Sequence, residues 1–173
     1  AAIVMSKAFA KKHGINQLVE IAGQSMATDT DTLWDNARNV VGLDYGKRAA
    51  QSAYEQAGIG VEDVDLVELH DCFTANEVIA YEALGLCGEG EATQFVNDKD
   101  NTYGGKFVVN PSGGLMSKGH PIGATGLAQC TELVWHLRGQ AGERQVENAR
   151  IGFQHNIGVP GGATVTVYKS LSQ

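Results

Sequence analysis

The chain has 173 residues, 43% hydrophobic and 19% charged, a balance that excludes a disordered polymer and suits one domain or one half of a duplicated enzyme. Its 13 basic and 20 acidic residues leave a net charge of -7, which argues against wholesale binding to nucleic acid or anionic membrane, both negative themselves. The 22 glycines exceed the ~7% typical of soluble proteins, yet with 3 prolines and no Gly-X-Y period they indicate neither collagen nor Pro/Gly-rich disorder.

The elements are read in chain order. Ala1–Met5 is an apolar pentad with no basic leader and no initiating methionine, so the chain reads as the interior of a longer protein or as a chain lacking its first part. Ile3–Met5 is expected to be a short buried strand, followed by a helix over Lys7–His13 stopped by Gly14. Gln17–Ala22 is a second strand, and residues 24–44 form a polar, irregular stretch. A helix over 47–57 carries Ala49, Ala50, Ala53, Tyr54 and Ala57 on one stripe, with Gly58 as its stop. The strand Val64–Leu69 leads to a helix over 74–84, where Thr74-Ala-Asn-Glu77 fits a capping box. Residues 88–105 are an irregular excursion, Phe107–Val109 a short strand, and 110–126 a glycine-rich loop running into a helix over 122–138. Ile151–His155 and Ala163–Tyr168 are two strands joined as a hairpin by Asn156–Gly162. Strands alternating with helices and ending in a hairpin predict an α/β fold with a mixed sheet. No apolar run approaches the ~20 residues that span a bilayer, so no membrane span is expected.

The charge is unevenly divided. Residues 1–100 carry 17 acidic and 7 basic side chains, and residues 101–173 carry 3 and 6, so the second part is the better place for an anionic ligand. The three cysteines, Cys72, Cys87 and Cys130, are odd in number and lack a C-x-x-C spacing, which argues against a disulfide framework.

Three segments carry candidate chemistry, each at a strand end or helix start, where open α/β sheets collect their active groups. His70-Asp71-Cys72-Phe73 precedes a helix, whose N-terminal partial charge is expected to lower the Cys72 thiol pKa. A zinc site at His70 and Cys72 lacks a second ligand pair, so no metal is expected. Asn110–Gly126 holds His120 at the mouth of a helix, with Pro121 in its first turn and glycines that allow close backbone approach. Its GxxxGxxG spacing is neither a dinucleotide fingerprint nor a phosphate-binding P-loop. His155-Asn156-Ile157-Gly158-Val-Pro-Gly-Gly162 offers free backbone N–H groups to an oxyanion. Cys87 and Cys130 read as core thiols, and His13 and His136 as surface or helix-end residues.

These residues resemble a known family. Gly119-His120-Pro121-Ile122-Gly123-Ala124-Thr125-Gly126 resembles the Gly-His-Pro motif of thiolases, and His70-Asp71-Cys72-Phe73 resembles the variant that marks the sterol carrier protein X type. Asp100–Lys106 and Asn110–Gly114 fit the same subfamily, and the likeness runs from about Ala1 to Lys169. It implies the C-terminal half of a thiolase fold, a mixed sheet between helical layers, with residues 1–14 ending the N-terminal half and 15–173 forming the C-terminal domain. The nucleophilic cysteine would then lie outside this chain.

By position, the resemblance makes His120 the base that deprotonates the nucleophilic thiol, and a ligand of the thioester oxygen. His70 stands where most thiolases hold a water with asparagine, in the same oxyanion hole. The usual Cys-x-Gly triplet reads Asn156-Ile157-Gly158 in this chain, so the resemblance implies that Cys72 replaces the missing acid/base thiol, that Gly158 serves the second oxyanion hole by its N–H, and that Asn156 neighbours the site. The implied activity is acyl transfer: 3-ketoacyl-CoA and CoA to acyl-CoA and acetyl- or propionyl-CoA, in breakdown of lipids or sterol side chains. Coenzyme A enters as substrate, with no bound cofactor. The implied partners are the N-terminal half and a second copy in a homodimer or larger assembly. The setting is bacterial cytoplasm or the eukaryotic peroxisome, although Ser170–Gln173 is not a peroxisomal tripeptide. Two other readings stand beside this one, a thiolase-like retro-aldolase of steroid side chains and a non-catalytic module that binds CoA or lipid.

Overall fold

The computed structural model describes residues 1–158 and 161–171. In chain order they form α1 (Lys7–Lys12), β1 (Val19–Thr28), α2 (Ala37–Val40), α3 (Leu43–Ala57), β2 (Leu66–Glu68), α4 (Thr74–Ala83), α5 (Ala92–Asn97), β3 (Val108–Val109), α6 (Gly114–Lys118), α7 (Thr125–Leu137), β4 (Ile151–Gly158) and β5 (Gly162–Ser170). Short 3-10 turns cover Asp31–Trp34, Val61–Asp63 and Gly142–Arg144. The five strands make one sheet in the order β1-β5-β4-β2-β3. β1, β5 and β4 run antiparallel to their neighbours, whereas β4, β2 and β3 are parallel. The α/β class with a mixed sheet and the C-terminal hairpin are as the sequence predicts.

Strand parity builds two apolar layers, because alternate side chains leave opposite faces of a strand. On one face Val67, Phe153, Ile157, Val165 and Val167 pack with Ala49, Ala50 and Ala53 of α3 and with Ala80 and Tyr81 of α4. On the other face Leu66 and Tyr168 lie under Leu133 and Leu137 of α7. Each fully buried Leu or Phe contributes about 1.5–3 kcal/mol over its exposed state. The alanine stripe lets α3 press close to the sheet. A Cβ on Gly23 of β1 would overlap the Ala53 carbonyl oxygen, so only glycine fits there.

Several elements depart from the sequence reading. Ile3–Met5 forms no strand; Ile3 and Val4 are exposed, with no neighbouring strand to pair them. β1 continues past Ala22 to Thr28 through a register shift between Ile21 and Gly23. Its second half is polar because it is an edge strand, and Gln24 crosses to Thr166 Oγ1 at 3.0 Å. Residues 31–44 hold a 3-10 turn, α2 and the start of α3, which begins four residues earlier than its apolar stripe suggests. The excursion 88–105 contains α5, anchored by buried Ala92 and Phe95, and the loop 110–126 contains α6.

α7 starts at Thr125 rather than 122, because Pro121 sits in a separate turn whose carbonyl accepts the Ala124 and Thr125 amides. The Thr74–Glu77 capping box does not form. Phe73 occupies the cap position, Thr74 is already helical, and Glu77 instead accepts the Tyr81 hydroxyl at 2.6 Å. His136 ends α7 but is buried, its Nδ1 accepting the Val146 amide at 3.0 Å. Part of the predicted Asn156–Gly162 turn, at 159–160, and the last two residues of Ser170–Gln173 lie outside the described residues. Among the described residues no helix is long and apolar enough to cross a membrane.

Candidate active site

β2 ends at Glu68 opposite Gln154, and the segment that follows it meets the last residues of the parallel strand β4 in one crevice. β2 runs into His70–Phe73, while β4 itself carries Asn156 and Gly158 at its end. The loop bearing His120 is fastened to the same strand end. The Leu69 amide donates to Asn110 Oδ1 at 2.8 Å, and the Asn110 amide to the Val67 carbonyl at 2.7 Å. Asn110 sits at φ +47°, a left-handed conformation that asparagine tolerates.

Two buried carboxylates then hold the loop. Glu68 accepts the Ser112 amide at 3.0 Å and the Ser112 hydroxyl at 2.7 Å, and Lys118 Nζ lies 3.5 Å from it. Asp71 accepts the Leu115 amide at 2.7 Å. Gly114 is in the left-handed region at φ +66°, and a Cβ there would collide with the Asp71 carboxylate. Sequence reading assigned neither carboxylate a role. The available signal was their three-residue spacing on either side of His70, opposite a Ser-Gly-Gly run rich in free amides.

His120 and His70 meet edge to face, ring centroids 4.8 Å apart and planes at 88°. His120 Nδ1 lies 2.7 Å from Thr125 Oγ1, and that hydroxyl is positioned to donate to the Pro121 carbonyl at 3.4 Å. A hydroxyl that donates to that carbonyl accepts from Nδ1–H, the tautomer that keeps Nε2 as the lone-pair nitrogen. His70 is 3% exposed. Burial pushes its pKa down to about 4, helped by the neighbouring charge of His120 and opposed by Asp71 and a hydrogen bond to Asn156. It is thus neutral near pH 7, a donor through one ring nitrogen.

Cys72 donates its thiol to Asn76 Oδ1 at 3.6 Å, and the Asn76 amide nitrogen is held by the Val41 carbonyl at 3.2 Å. The expected drop in the Cys72 pKa does not occur. Burial raises it, outweighing the lowering by the Cys72 and Phe73 amides at the start of α4, and Asp71 adds to the rise. The thiol is therefore suited to carry a proton rather than to attack as an anion.

A cavity of about 690 Å³ is lined by His70, Cys72, His120, Asn156 and Gly158, so every predicted site residue reaches the same space. That volume lies within the range of small-molecule sites. Its rim is apolar, with Phe73 70% and Ile122 93% exposed. A second cleft of about 500 Å³ lies at the opposite end of the parallel strands, between Asp65, Tyr103 and Lys106, and holds none of these residues. Cys87 and Cys130 pack against the two apolar layers, away from the site, as expected.

Comparison with known proteins places this geometry. Residues 25–169 match the family model described as thiolase C-terminal domain-like. Sterol carrier protein 2 of Bos taurus is 56% identical over 172 residues, covering 98% of this chain and 32% of that protein. An acetyl-CoA acetyltransferase of Methanothermobacter thermautotrophicus is 43% identical over 162 residues, covering 94% and 42%. The solved structure of the Ltp2-ChsH2(DUF35) aldolase superposes with a TM-score of 0.76 at 24% identity, over 90% of this chain and 40% of that one, a likeness of fold. The chain thus spans about a third of the length of the sterol carrier protein 2 it matches.

Proposed function

The chain belongs to the thiolase family through that family's C-terminal domain, and from this premise we propose that it is the C-terminal part of a 3-ketoacyl-CoA thiolase. The substrate would be a 3-ketoacyl-CoA, cleaved with CoA to acyl-CoA and acetyl- or propionyl-CoA. The observation that carries the reading is the edge-to-face pair His70 and His120 in one cavity with the Cys72 thiol. Residues 1–14 are read as the end of the N-terminal half, which would supply the nucleophilic cysteine, and the active assembly as a homodimer or larger.

Each role follows from a property of the side chain. His120 Nε2, with its lone pair free, takes the proton of the nucleophilic thiol. The thiolate then adds to the 3-keto carbon. The C2–C3 bond breaks, and its electron pair leaves as the enolate of the shorter acyl-CoA. His70, neutral and buried, and His120, protonated by the first step, face the enolate oxygen as donors held in place before the charge develops. Cys72, whose thiol keeps its proton at neutral pH, gives that proton to C2. Its thiolate next accepts the proton of incoming CoA, which attacks the acyl-enzyme and releases acyl-CoA. Gly158 would offer its N–H to the acyl carbonyl oxygen. CoA enters as substrate, and no step draws on a bound cofactor.

The test is thiolysis of 3-ketoacyl-CoA by the full-length protein, run beside aldol cleavage of a 3-hydroxy thioester. Thiolysis that falls on His120→Ala, with loss of acylation of the nucleophile, supports the reading. Aldol cleavage alone, or acylation at the normal rate in His120→Ala, overturns it.

A further inference from the structure

Gln129 is fully buried on α7 and lies beneath the site without lining the cavity. Its side-chain nitrogen donates to two backbone carbonyls, that of His155 at 3.0 Å and that of Glu68 at 3.3 Å. These belong to the neighbouring parallel strands that carry the site at their ends. Because carbonyl oxygens only accept, the amide has one orientation, with both N–H groups toward the strands and Oε1 toward Asn156. Oε1 then accepts the Asn156 side-chain nitrogen at 3.0 Å and that of Gln154 at 3.4 Å. Gln154 is fixed from its far side, with Oε1 accepting the Tyr168 hydroxyl at 2.7 Å and nitrogen donating to the Gly126 carbonyl at 2.8 Å.

The orientation of Asn156 follows. With its nitrogen committed to Gln129, its Oδ1 is the end left for His70, which lines the same cavity, and an amide oxygen there can only accept from a His70 ring N–H. Among the described residues His70 Nδ1 is buried without a partner, so the N–H that faces Asn156 is on Nε2. A neutral histidine has one N–H, and a wrong tautomer would present a lone pair to the cavity.

We propose that Gln129 is a positioning residue: its amide sets the direction of the Asn156 side chain and, through it, the tautomer and ring orientation of His70. Asn156 holds the Nε2 proton in place until a substrate oxygen takes its position. No part of this requires that Gln129 touch substrate. The inference deepens the thiolase reading and rests on it only for the kinetic readout; the ring tautomer can be measured without it.

The experiment uses the full-length protein with ¹⁵N-labelled histidine rings. Gln129→Met keeps the length of the side chain and removes its donors and acceptor. The expected result is loss of the single Nε2–H signature of His70 in the folded protein, with kcat for thiolysis falling on the order of tenfold or more and KM changing little. Because Gln129→Met takes a donor from two strand carbonyls and could hinder folding, Asn156→Leu breaks the relay from the cavity side, and the same loss of the His70 signature is expected. The two substitutions together should cost no more than the larger one alone. An unchanged His70 tautomer in either folded variant, or effects of the two that simply add, overturns the proposal. A protein that loses the signature but shows no thiolysis even in the wild type would instead refute the thiolase reading and leave the relay standing.

Discussion

Asp71 accepts the backbone N–H of Leu115 at 2.7 Å, and that one bond ties the end of β2 to the loop that delivers His120. The loop could not close in this way with any side chain at position 114. Gly114 has a left-handed φ of +66°, and its Cα faces the Asp71 carboxylate at close quarters. Gly114→Ala is therefore expected to destabilise the fold by at least ~2 kcal/mol, from the backbone strain of a left-handed non-glycine residue and the forced displacement of Asp71. Chemical denaturation measures the stability loss. The thiolysis rate should fall further than the unfolded fraction accounts for, because His120 shifts with the loop.

Glu68 separates the role of a hydrogen bond from that of a charge. Burial raises its pKa, against the pull of Lys118 and the two bonds from Ser112, so ionising it works against the folded state. A raised carboxyl pKa means that stability falls as pH rises through the ordinary value of 4.5. Glu68→Gln removes that cost, keeps an acceptor for the Ser112 amide and should be close to neutral in stability at pH 7. Glu68→Ala leaves the Ser112 amide without its acceptor and should cost about 1–3 kcal/mol. Equal losses in the two variants, read from denaturation midpoints, would show that the charge matters and the bond does not.

His155 gives the pH dependence its sharpest test. It is buried, both ring nitrogens lack partners among the described residues, and burial, then the charge of His70, pushes its pKa from 6.5 to about 3. His70 is lowered in the same sense, to about 4. A histidine whose folded pKa is depressed binds its proton more readily in the unfolded chain, so stability is lost as pH falls from about 6.5 toward 4 and 3. His155→Leu should flatten this loss and leave the protein at least as stable at pH 5, since it removes a buried imidazole without a bond. Urea midpoints between pH 4 and 7 check it.

Cys72 is expected to alkylate slowly at pH 7. Its thiol pKa is raised by burial, so iodoacetamide labelling of Cys72, followed by mass spectrometry, should rise only as pH passes 9. Cys72→Ser in the full-length protein should lower thiolysis by on the order of 10²-fold or more, as expected for loss of a general acid/base.

Much of the site was legible in the sequence because its parts sit in short, unusual strings. His70-Asp-Cys-Phe and Gly-His120-Pro each place their chemistry within a few residues, and the strand before each string has a clear apolar run. Apolar pattern likewise located α3, β4 and β5. The second half of β1 was not legible, since an edge strand with Gln24, Ser25 and Thr28 lacks the alternation that marks a half-buried strand. α5 and α6 have five or six residues each, too few to display a helical period. Gln129 and Glu68 were invisible for another reason. They are polar residues at core positions, and only the three-dimensional partners distinguish a buried amide that completes a network from one on the surface. Position relative to a helix start suggested a low thiol pKa for Cys72; burial, which sequence does not display, reversed it.

The alternation along β4 also limits how this protein can change over time. Phe153 and Ile157 belong to one layer, while Gln154 and Asn156 serve the polar network under α7. Inserting or deleting one residue near Gly152 would exchange the two sets, sending Ile157 to the acceptor of Gln129 and Asn156 into the aliphatic layer. Length changes within β4 therefore keep both faces only when they come in pairs of residues.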